Sequence, residues 1–269
     1  MAALTAIVVF LLSQALPTLM ETPLSEFFFS EDWYPTDDVP SFGIMALIAG
    51  SLSTALLTSV LAVPLGVLTA AALHCSPPKV RKFIKPAIEL MAAFPSVVIG
   101  LIGMVVIAPW LQQTFGLASG LNMTNAAIML AFMCIPSIAS ISEDALRNVP
   151  SAVREASLAL GATRWETLVQ VELRWAMAGI GTAVMLGLSR VIGETMVVLM
   201  VAGGASILPE SIFDPVRPMT AAIAAEMAEA PVGGEHYHAL YAVGFVLFMI
   251  TFVFNFCAWY ASRRLGLTR

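Results

Sequence analysis

Residues 42–73 read FGIMALIAGSLSTALLTSVLAVPLGVLTAAAL, an apolar run without a single charged side chain. About 20 such residues in a helix suffice to cross the hydrocarbon core of a bilayer. The rest of the 269-residue chain has the same character, because 59% of all residues are hydrophobic and only 12% are charged. Soluble domains average roughly 45–50% apolar and about 25% charged residues. The composition therefore predicts an integral membrane protein.

Runs long enough to span a membrane occur along the whole chain. They are Ala2–Met20, Phe42–Leu73, Ile88–Trp110, Thr124–Ile141, Met177–Ala202 and Leu240–Ser262. We therefore predict an all-α, polytopic fold with about six transmembrane helices in a lipid bilayer. The first run has no basic segment before it, so we interpret it as a helix that stays attached and not as a signal peptide.

The charged residues are sorted by loop, which predicts the orientation of the chain. All but Arg190 and Arg217 of the 13 Lys and Arg residues lie in alternate loops or after the last span. The first of the opposite loops is acidic, with Glu21, Glu26, Glu31, Asp32, Asp37 and Asp38. By the positive-inside rule, both termini and the basic loops are expected in the cytoplasm.

Residues 142–175 form the longest basic loop and carry strong helix signals. Pro150 suits the start of a helix, and Gly161 suits its end. Thr163 and Glu166 have the spacing of a capping box, so a second helix is expected there. The sequence predicts a helix, a tight turn and a helix on the cytoplasmic face.

One face of the first of these helices combines Val153, Ala156, Ser157 and Leu160 at helical spacing. The small side chains of Ala156 and Ser157 would let another protein approach the backbone closely. The alternative is that this face packs on the protein's own helices, and the spacing alone leaves both interpretations open.

The fifth predicted span contains two ionisable residues, Arg190 and Glu194. Such residues are costly in a membrane, usually face the interior of the bundle and mark a pathway. At spacing i, i+4 the two side chains would share one helix face. A guanidinium suits an oxyanion because it offers paired N–H donors. The alternative is a structural ion pair that sets helix register.

Several kinds of chemistry lack their sequence signals. The chain has no G-x-x-x-x-G-K-[ST] motif, so any ATP that drives transport is expected to bind a separate subunit. No arrangement of serine, cysteine or histidine suggests a nucleophilic enzyme, and no basic tract suggests nucleic acid. The three cysteines form no CxxC pair. We expect neither a cofactor nor a metal site.

The loop resembles the EAA motif of ABC importer permeases, which reads E-A-A, three residues, G, nine residues, I-x-L-P. Glu155, Ala156 and Gly161 match it, while Ser157 replaces the second alanine, Val171 the isoleucine and Arg174 the proline. The last departure leaves a bend after the second helix in question. The segment from Gly187 through Gly193-Glu194-Thr195-Met196 is similar to the phosphate-uptake, PstC-type branch of these permeases.

The resemblance implies a type I ABC importer permease fold and a function in inorganic phosphate import across the bacterial inner membrane. It assigns ATPase coupling to Glu155, Ala156, Ser157 and Gly161, and the substrate path to Arg190 and Glu194. It also implies a cytoplasmic ATPase dimer, a second related permease subunit and an extracytoplasmic phosphate-binding protein as partners.

Residues 1–41 are expected to hold the first helix and an acidic outer loop, and residues 42–269 the permease core with its coupling loop at 142–175. The alternatives are a permease for another oxyanion, such as molybdate or sulfate, and a membrane scaffold or intramembrane enzyme.

Overall fold

The computed structural model describes residues 2–264, apart from the side chains of residues 2, 4, 258, 259 and 261–264. Helices dominate this part of the chain. Numbered along the chain, they are α1 Ala2–Glu21, α2 Leu24–Phe29, α3 Met45–Cys75, α4 Pro78–Met91, α5 Ser96–Phe115, α6 Met123–Arg147, α7 Ser151–Ala159, α8 Arg164–Ile192, α9 Met196–Val201, α10 Met219–Glu226 and α11 Glu235–Arg264. Two short antiparallel strands, β1 Trp33–Tyr34 and β2 Ser41–Phe42, lie between α2 and α3.

Within the described residues, five helical segments are long and apolar enough to cross a membrane. They are α3, α5, α6, α8 and Glu235–Cys257 of α11, and α1 adds a shorter apolar helix over Thr5–Glu21. The predicted all-α, polytopic membrane fold is therefore confirmed.

The third predicted span begins too early. The residues from Ile88 to Met91 belong to α4, an amphipathic helix, and the spanning helix α5 starts at Ser96. Pro95 disfavours the helical conformation at the preceding residue, so the chain breaks there. The apolar run alone does not show this break, because Ile88 and Leu90 are as apolar as the residues of the span.

The fifth predicted span is displaced toward the N-terminus. The spanning helix α8 starts at Arg164 and ends at Ile192, and the short helix α9 follows from Met196. The second helix expected in the loop is therefore not a separate element, because it continues into the span. It passes Arg174 without a break, by way of a π-helical turn over Thr167–Glu172.

The described residues form two compact units. Unit 1 comprises residues 2–57, Ser96–Met129 and Ile192–Val253, and unit 2 comprises Thr58–Pro95, Leu130–Val191 and residues 254–264. In unit 1, an apolar core that includes Phe27, Trp33 and Leu240 holds the β-hairpin. Beside it, Glu226 accepts hydrogen bonds from Trp33 Nε1, forms an ion pair with Arg217, and has an oxygen 2.9 Å from Nε2 of His236.

Unit 2 is built around a close approach of α3, α6 and α8. A Cβ atom added at Gly66 would lie 2.7 Å from Ile138 Cγ2, and one at Gly187 would lie 2.8 Å from Ile138 Cγ1. Only glycine allows both helices to pack this tightly against the same isoleucine.

Candidate functional site

Helix α7 is a short surface helix whose ends are fixed by local chemistry. Pro150 precedes the first residue of the helix. Gly161 lies just beyond its C-terminal end and has φ of 88°, a left-handed conformation that favours glycine. The predicted capping box starts the next helix. Thr163 Oγ1 accepts from Glu166 N–H at 3.2 Å, and the Glu166 carboxylate accepts from Thr163 N–H at 2.7 Å.

The predicted face of α7 divides into two parts. Val153 packs on the apolar cluster of unit 2, and Ser157 Oγ lies 3.0 Å from Thr167 Oγ1. Ala156 and Leu160 are exposed, Leu160 by 90%. Leu160 points away because α7 ends at Ala159 and the chain turns there. Val153 and Ser157 thus pack on the protein's own helices, while Ala156 and Leu160 are accessible.

The motif residues face outward to different degrees. Glu155 is exposed and, among the described residues, forms no ion pair. Ala156, Leu160 and Trp165, which is 67% exposed, are also accessible and lie near Gly161 in sequence; these four residues are called the accessible surface of α7. Ser157 differs, because its hydroxyl faces Thr167 of α8 and is partly buried.

Glu172 is a buried carboxylate that the sequence did not single out. It occupies the variable position of the I-x-L-P part of the EAA motif. It is 3% exposed and lies at the end of the π-helical turn of α8. Its Oε1 forms an ion pair with Nε of Arg154 in α7, and its Oε2 lies 2.8 Å from Nε2 of His74 in α3. The signal in the sequence was a carboxylate within a segment that becomes a spanning helix.

A second buried carboxylate, Glu143, joins α4 to α6. It is 0% exposed, and Lys85 Nζ donates to its Oε2 at 2.7 Å. Arg81 and Arg147 have nitrogens 3.9 and 3.8 Å from its Oε1. Burial lowers the pKa of the Lys85 ammonium, but hydrogen bonds to Asp144 and Glu143 outweigh this effect and leave the pKa above its ordinary value. Lys85 therefore remains charged at neutral pH.

Arg190 lies in the last turn of α8, and its side chain is exposed. Both terminal guanidinium nitrogens are 3.4 Å from the carbonyl oxygen of Ala92, which follows α4. Among the described residues of unit 2, no carboxylate lies within ion-pair distance of Arg190. The guanidinium is thus held by a neutral carbonyl and still has N–H donors for an anion.

Glu194 does not share a helix face with Arg190, so that prediction is wrong. Helix α8 ends at Ile192, and Glu194 belongs to unit 1 in the break before α9. Its Oε1 accepts from Val197 N–H at 3.4 Å, and its backbone oxygen accepts from Thr220 Oγ1 at 2.8 Å. The free N–H groups at the start of α9 attract the carboxylate, and Gly193 weakens helix continuation.

The sequence of this chain matches a known protein family. Residues 62–266 match the family described as binding-protein-dependent transport system inner membrane component. The chain belongs to this family. The resemblance to ABC importer permeases inferred from the sequence is therefore confirmed, and the protein is a multi-pass membrane subunit of such a transport system.

Relatives in this family match over most of the chain. The chain is 37% identical over 266 residues to the probable ABC transporter permease protein YqgH of Bacillus subtilis, covering 98% of this chain and 86% of that protein. It is 36% identical over 259 residues to the phosphate transport system permease protein PstC of Mesorhizobium japonicum, covering 89% and 78%. The PstC protein of Pasteurella multocida is 35% identical over 247 residues, covering 84% and 76%.

Solved structures of importers share the fold. A bacterial ABC transporter involved in the import of the acidic polysaccharide alginate matches with a TM-score of 0.65 and 14% identity, over 98% of this chain and 94% of that one. The MetNI methionine ABC transporter in an inward-facing conformation matches with a TM-score of 0.60 and 20% identity, over 84% and 95%. At these identities the likeness shows the fold alone, and it confirms the predicted importer permease fold.

Proposed function

We propose that this chain is one permease subunit of an ATP-driven importer that moves inorganic phosphate across the bacterial inner membrane. The phosphate transport permeases among its relatives support the substrate. The observation that carries the proposal is the Arg190 guanidinium, which has only a neutral carbonyl as partner within unit 2. An arginine that is not neutralised by a carboxylate retains paired donors for an oxyanion.

Glu194 contributes to the same path in this proposal, but it does so from a different element. Its carboxylate faces the first turn of α9, so it is not committed to neutralising a cation within unit 1. A carboxylate beside the path would repel the anion and so limit how tightly it is held. Weak holding is what transport requires, since a bound ion must also leave.

The coupling role belongs to Glu155, Ala156, Ser157 and Gly161. The accessible surface of α7 offers Glu155 for an ion pair and Ala156 for close backbone approach by an ATPase subunit. Gly161 provides the turn by which α7 joins α8. ATP then binds the ATPase dimer and not this chain, which has no P-loop motif.

The remaining partners and the orientation follow from the charge pattern. In this proposal both termini lie in the cytoplasm, the side that the positive-inside rule predicts for the basic loops. A second related permease subunit completes the translocation path, and a phosphate-binding protein delivers the anion at the acidic outer loops. Delivery by a protein fits a negative outer surface, because such a surface does not attract free phosphate.

Uptake by the reconstituted complex tests the substrate. The chain is co-expressed with its ATPase, the second permease and the binding protein, and the complex is placed in liposomes with ATP on the ATPase side. We expect ATP-dependent uptake of radiolabelled phosphate that excess unlabelled phosphate suppresses and excess sulfate or molybdate does not. Suppression by sulfate or molybdate would assign the permease to another oxyanion, and no ATP-dependent uptake would favour the scaffold interpretation.

Cross-linking tests the coupling surface. In a background with Cys75, Cys134 and Cys257 changed to serine, Ala156→Cys is expected to form a cross-link to the ATPase subunit. Val153→Cys is the matched control, since Val153 lies on the same helix but packs on unit 2. Equal cross-linking at both positions, or none at Ala156→Cys, would contradict the assigned surface.

A further inference from the structure

Three helices meet at the carboxylate of Glu172. Arg154 comes from α7, His74 comes from the last turn of α3, and Glu172 itself lies near the start of α8. The side chain of Glu172 is 4% exposed, and that of His74 is 10% exposed. A carboxylate removed from water to this degree is costly unless charged or polar groups surround it.

The two oxygens of Glu172 are used by different elements. Oε1 pairs with Arg154, and Oε2 lies 2.8 Å from Nε2 of His74. Arg154 Nη2 is in turn 3.3 Å from the same His74 nitrogen. A carboxylate accepts and a guanidinium donates, so the single site of His74 Nε2 donates to Glu172, and Arg154 is linked to His74 through the carboxylate. Moving any one of the three helices therefore disturbs the contacts that the other two make with Glu172.

Besides Arg154, the side chains of Val153 and Ser157 help to fix the orientation of α7. The helix has 9 residues. Val153 packs on the apolar cluster of unit 2, and Ser157 lies 3.0 Å from Thr167. The apolar cluster contains residues of α3, α6 and α8, and Thr167 lies in α8. Among the polar contacts of the described residues, only those of Arg154 and His74 with Glu172 extend from α7 to α3.

The position of Glu172 in α8 supports a mechanical role. It ends the π-helical turn Thr167–Glu172, and such turns within α-helices are frequent at functional sites because they re-aim side chains. Here the turn lies where α8 passes α7. A displacement of α7 thus reaches α8 at a locally irregular point, just before the regular helix that carries Arg190.

We infer that Glu172 is a positioning residue for energy coupling, which ties α7 through Arg154 and His74 to the ends of α3 and α8. This inference rests on the proposed function, because it assumes that α7 receives the motion of an ATPase. Movement of α7 is transmitted to α3 and α8 at once, so that one conformational change of the ATPase displaces both of these helices.

The test uses the complete complex in liposomes and measures two rates together, phosphate uptake and ATP hydrolysis stimulated by the loaded binding protein. Glu172→Gln removes the charge and keeps the shape. We expect the number of ATP molecules hydrolysed per phosphate transported to rise about tenfold, the effect of weakening a charge-assisted contact. The double exchange Arg154→Glu with Glu172→Arg is expected to restore most of the wild-type ratio.

Glu89→Gln is the matched control. It also changes a carboxylate of unit 2 to an amide, but Glu89 contacts Ser140 and not α7. The number of ATP molecules that Glu89→Gln hydrolyses per phosphate transported is expected to stay at the wild-type value. A purely structural role for Glu172 would lower the yield of complex or reduce both rates equally, and an unchanged ratio in Glu172→Gln would overturn the inference.

A pair of histidine variants keeps the test decisive if Glu172→Gln fails to fold. Nε2 of His74 faces Glu172, whereas Nδ1 has no hydrogen-bond partner among the described residues. The amide nitrogen of glutamine can replace Nε2, and that of asparagine is placed to replace Nδ1. His74→Gln is therefore expected to keep the wild-type ratio and His74→Asn to raise it. If the two variants hydrolyse equal numbers of ATP molecules per phosphate transported, the inference about Glu172 is overturned, while ATP-driven uptake by the wild type still supports the proposed function. If the wild type shows no ATP-driven uptake, the proposed function and the inference both fail.

Discussion

Two charged groups of unit 2 lie in opposite surroundings. Glu172 is buried, and cationic or imidazole side chains from two other helices meet it. Arg190 is exposed at the other end of the same helix and contacts only a carbonyl oxygen at 3.4 Å. The comparison shows that one helix can carry a charge that holds the framework and a charge that is free to bind an anion. Substitutions should therefore separate stability from transport.

The largest loss of stability is expected at the framework carboxylate Glu143. Glu143→Gln removes one of the two carboxylates that Lys85 contacts and leaves Asp144 as its remaining partner. Loss of a charge-assisted hydrogen bond of this kind costs about 1.5–3 kcal/mol. The free energy of unfolding in detergent, measured by denaturant titration, checks this value.

Because Lys85 has a raised pKa, the contribution of the pair is present below pH 10.5 and is lost as the pH rises through the higher folded-state pKa. A loss of stability between pH 6 and 9 that is absent from Glu143→Gln would contradict this account.

The next largest effect is expected where α8 packs on α6. Gly187→Ala places a methyl group 2.7 Å from Cys134 Sγ, and overpacking of this kind costs about 1–3 kcal/mol. Gly181→Ala is the matched control on the same helix, because a Cβ there meets no atom within 4 Å. Thermal unfolding of the purified subunit should show a lower midpoint for Gly187→Ala alone. Equal midpoints would show that α6 and α8 do not pack as closely as described.

A smaller effect on stability is expected at the turn after α7. Gly161→Ala introduces a side chain at φ of 88°, which costs about 1–2 kcal/mol of backbone strain although the space is open. Gly116→Ala carries similar strain, at φ of 65° and also in open space, but lies far from α7 in sequence. We expect similar unfolding midpoints for the two variants, with uptake per ATP hydrolysed reduced only in Gly161→Ala. A reduction in both would remove the special role of this turn.

How much the sequence could predict depended on the range of the interactions. The apolar runs predicted the spanning helices, and the capping box of Thr163 and Glu166 placed the start of α8, because these signals are local. The end of α8 at Ile192 was missed, since the apolar pattern continues to Val201 and hides the break at Gly193 and Glu194. Hydropathy reports burial in lipid and not the continuity of a helix.

Contacts between distant residues were beyond the sequence. Glu172 meets His74 across 98 positions, and Glu143 meets Lys85 across 58. Each of these charges looked like an ordinary loop or interfacial residue. Their pairing depends on how α3, α4, α6, α7 and α8 pack, which no local pattern reports. The same packing separates Arg190 from every carboxylate of unit 2 that the structure describes, and no sequence signal predicted that separation.

The smallest effect on stability and the largest on transport are both expected at Arg190. Arg190→Gln removes only two long hydrogen bonds to a carbonyl, so its unfolding midpoint is expected to match that of the wild type. Arg174→Gln, which changes another exposed arginine of α8, is the matched control for the loss of charge.

The role of Arg190 in binding the anion is tested by measuring phosphate uptake and ATP hydrolysis together, in liposomes that contain the complete complex with Arg190→Gln. We expect ATP hydrolysis to persist while phosphate uptake falls by about 10- to 100-fold, because a charge-assisted contact to the anion is lost. Arg174→Gln is expected to change neither rate. Uptake at the wild-type rate by a folded Arg190→Gln complex would show that Arg190 does not bind the transported anion.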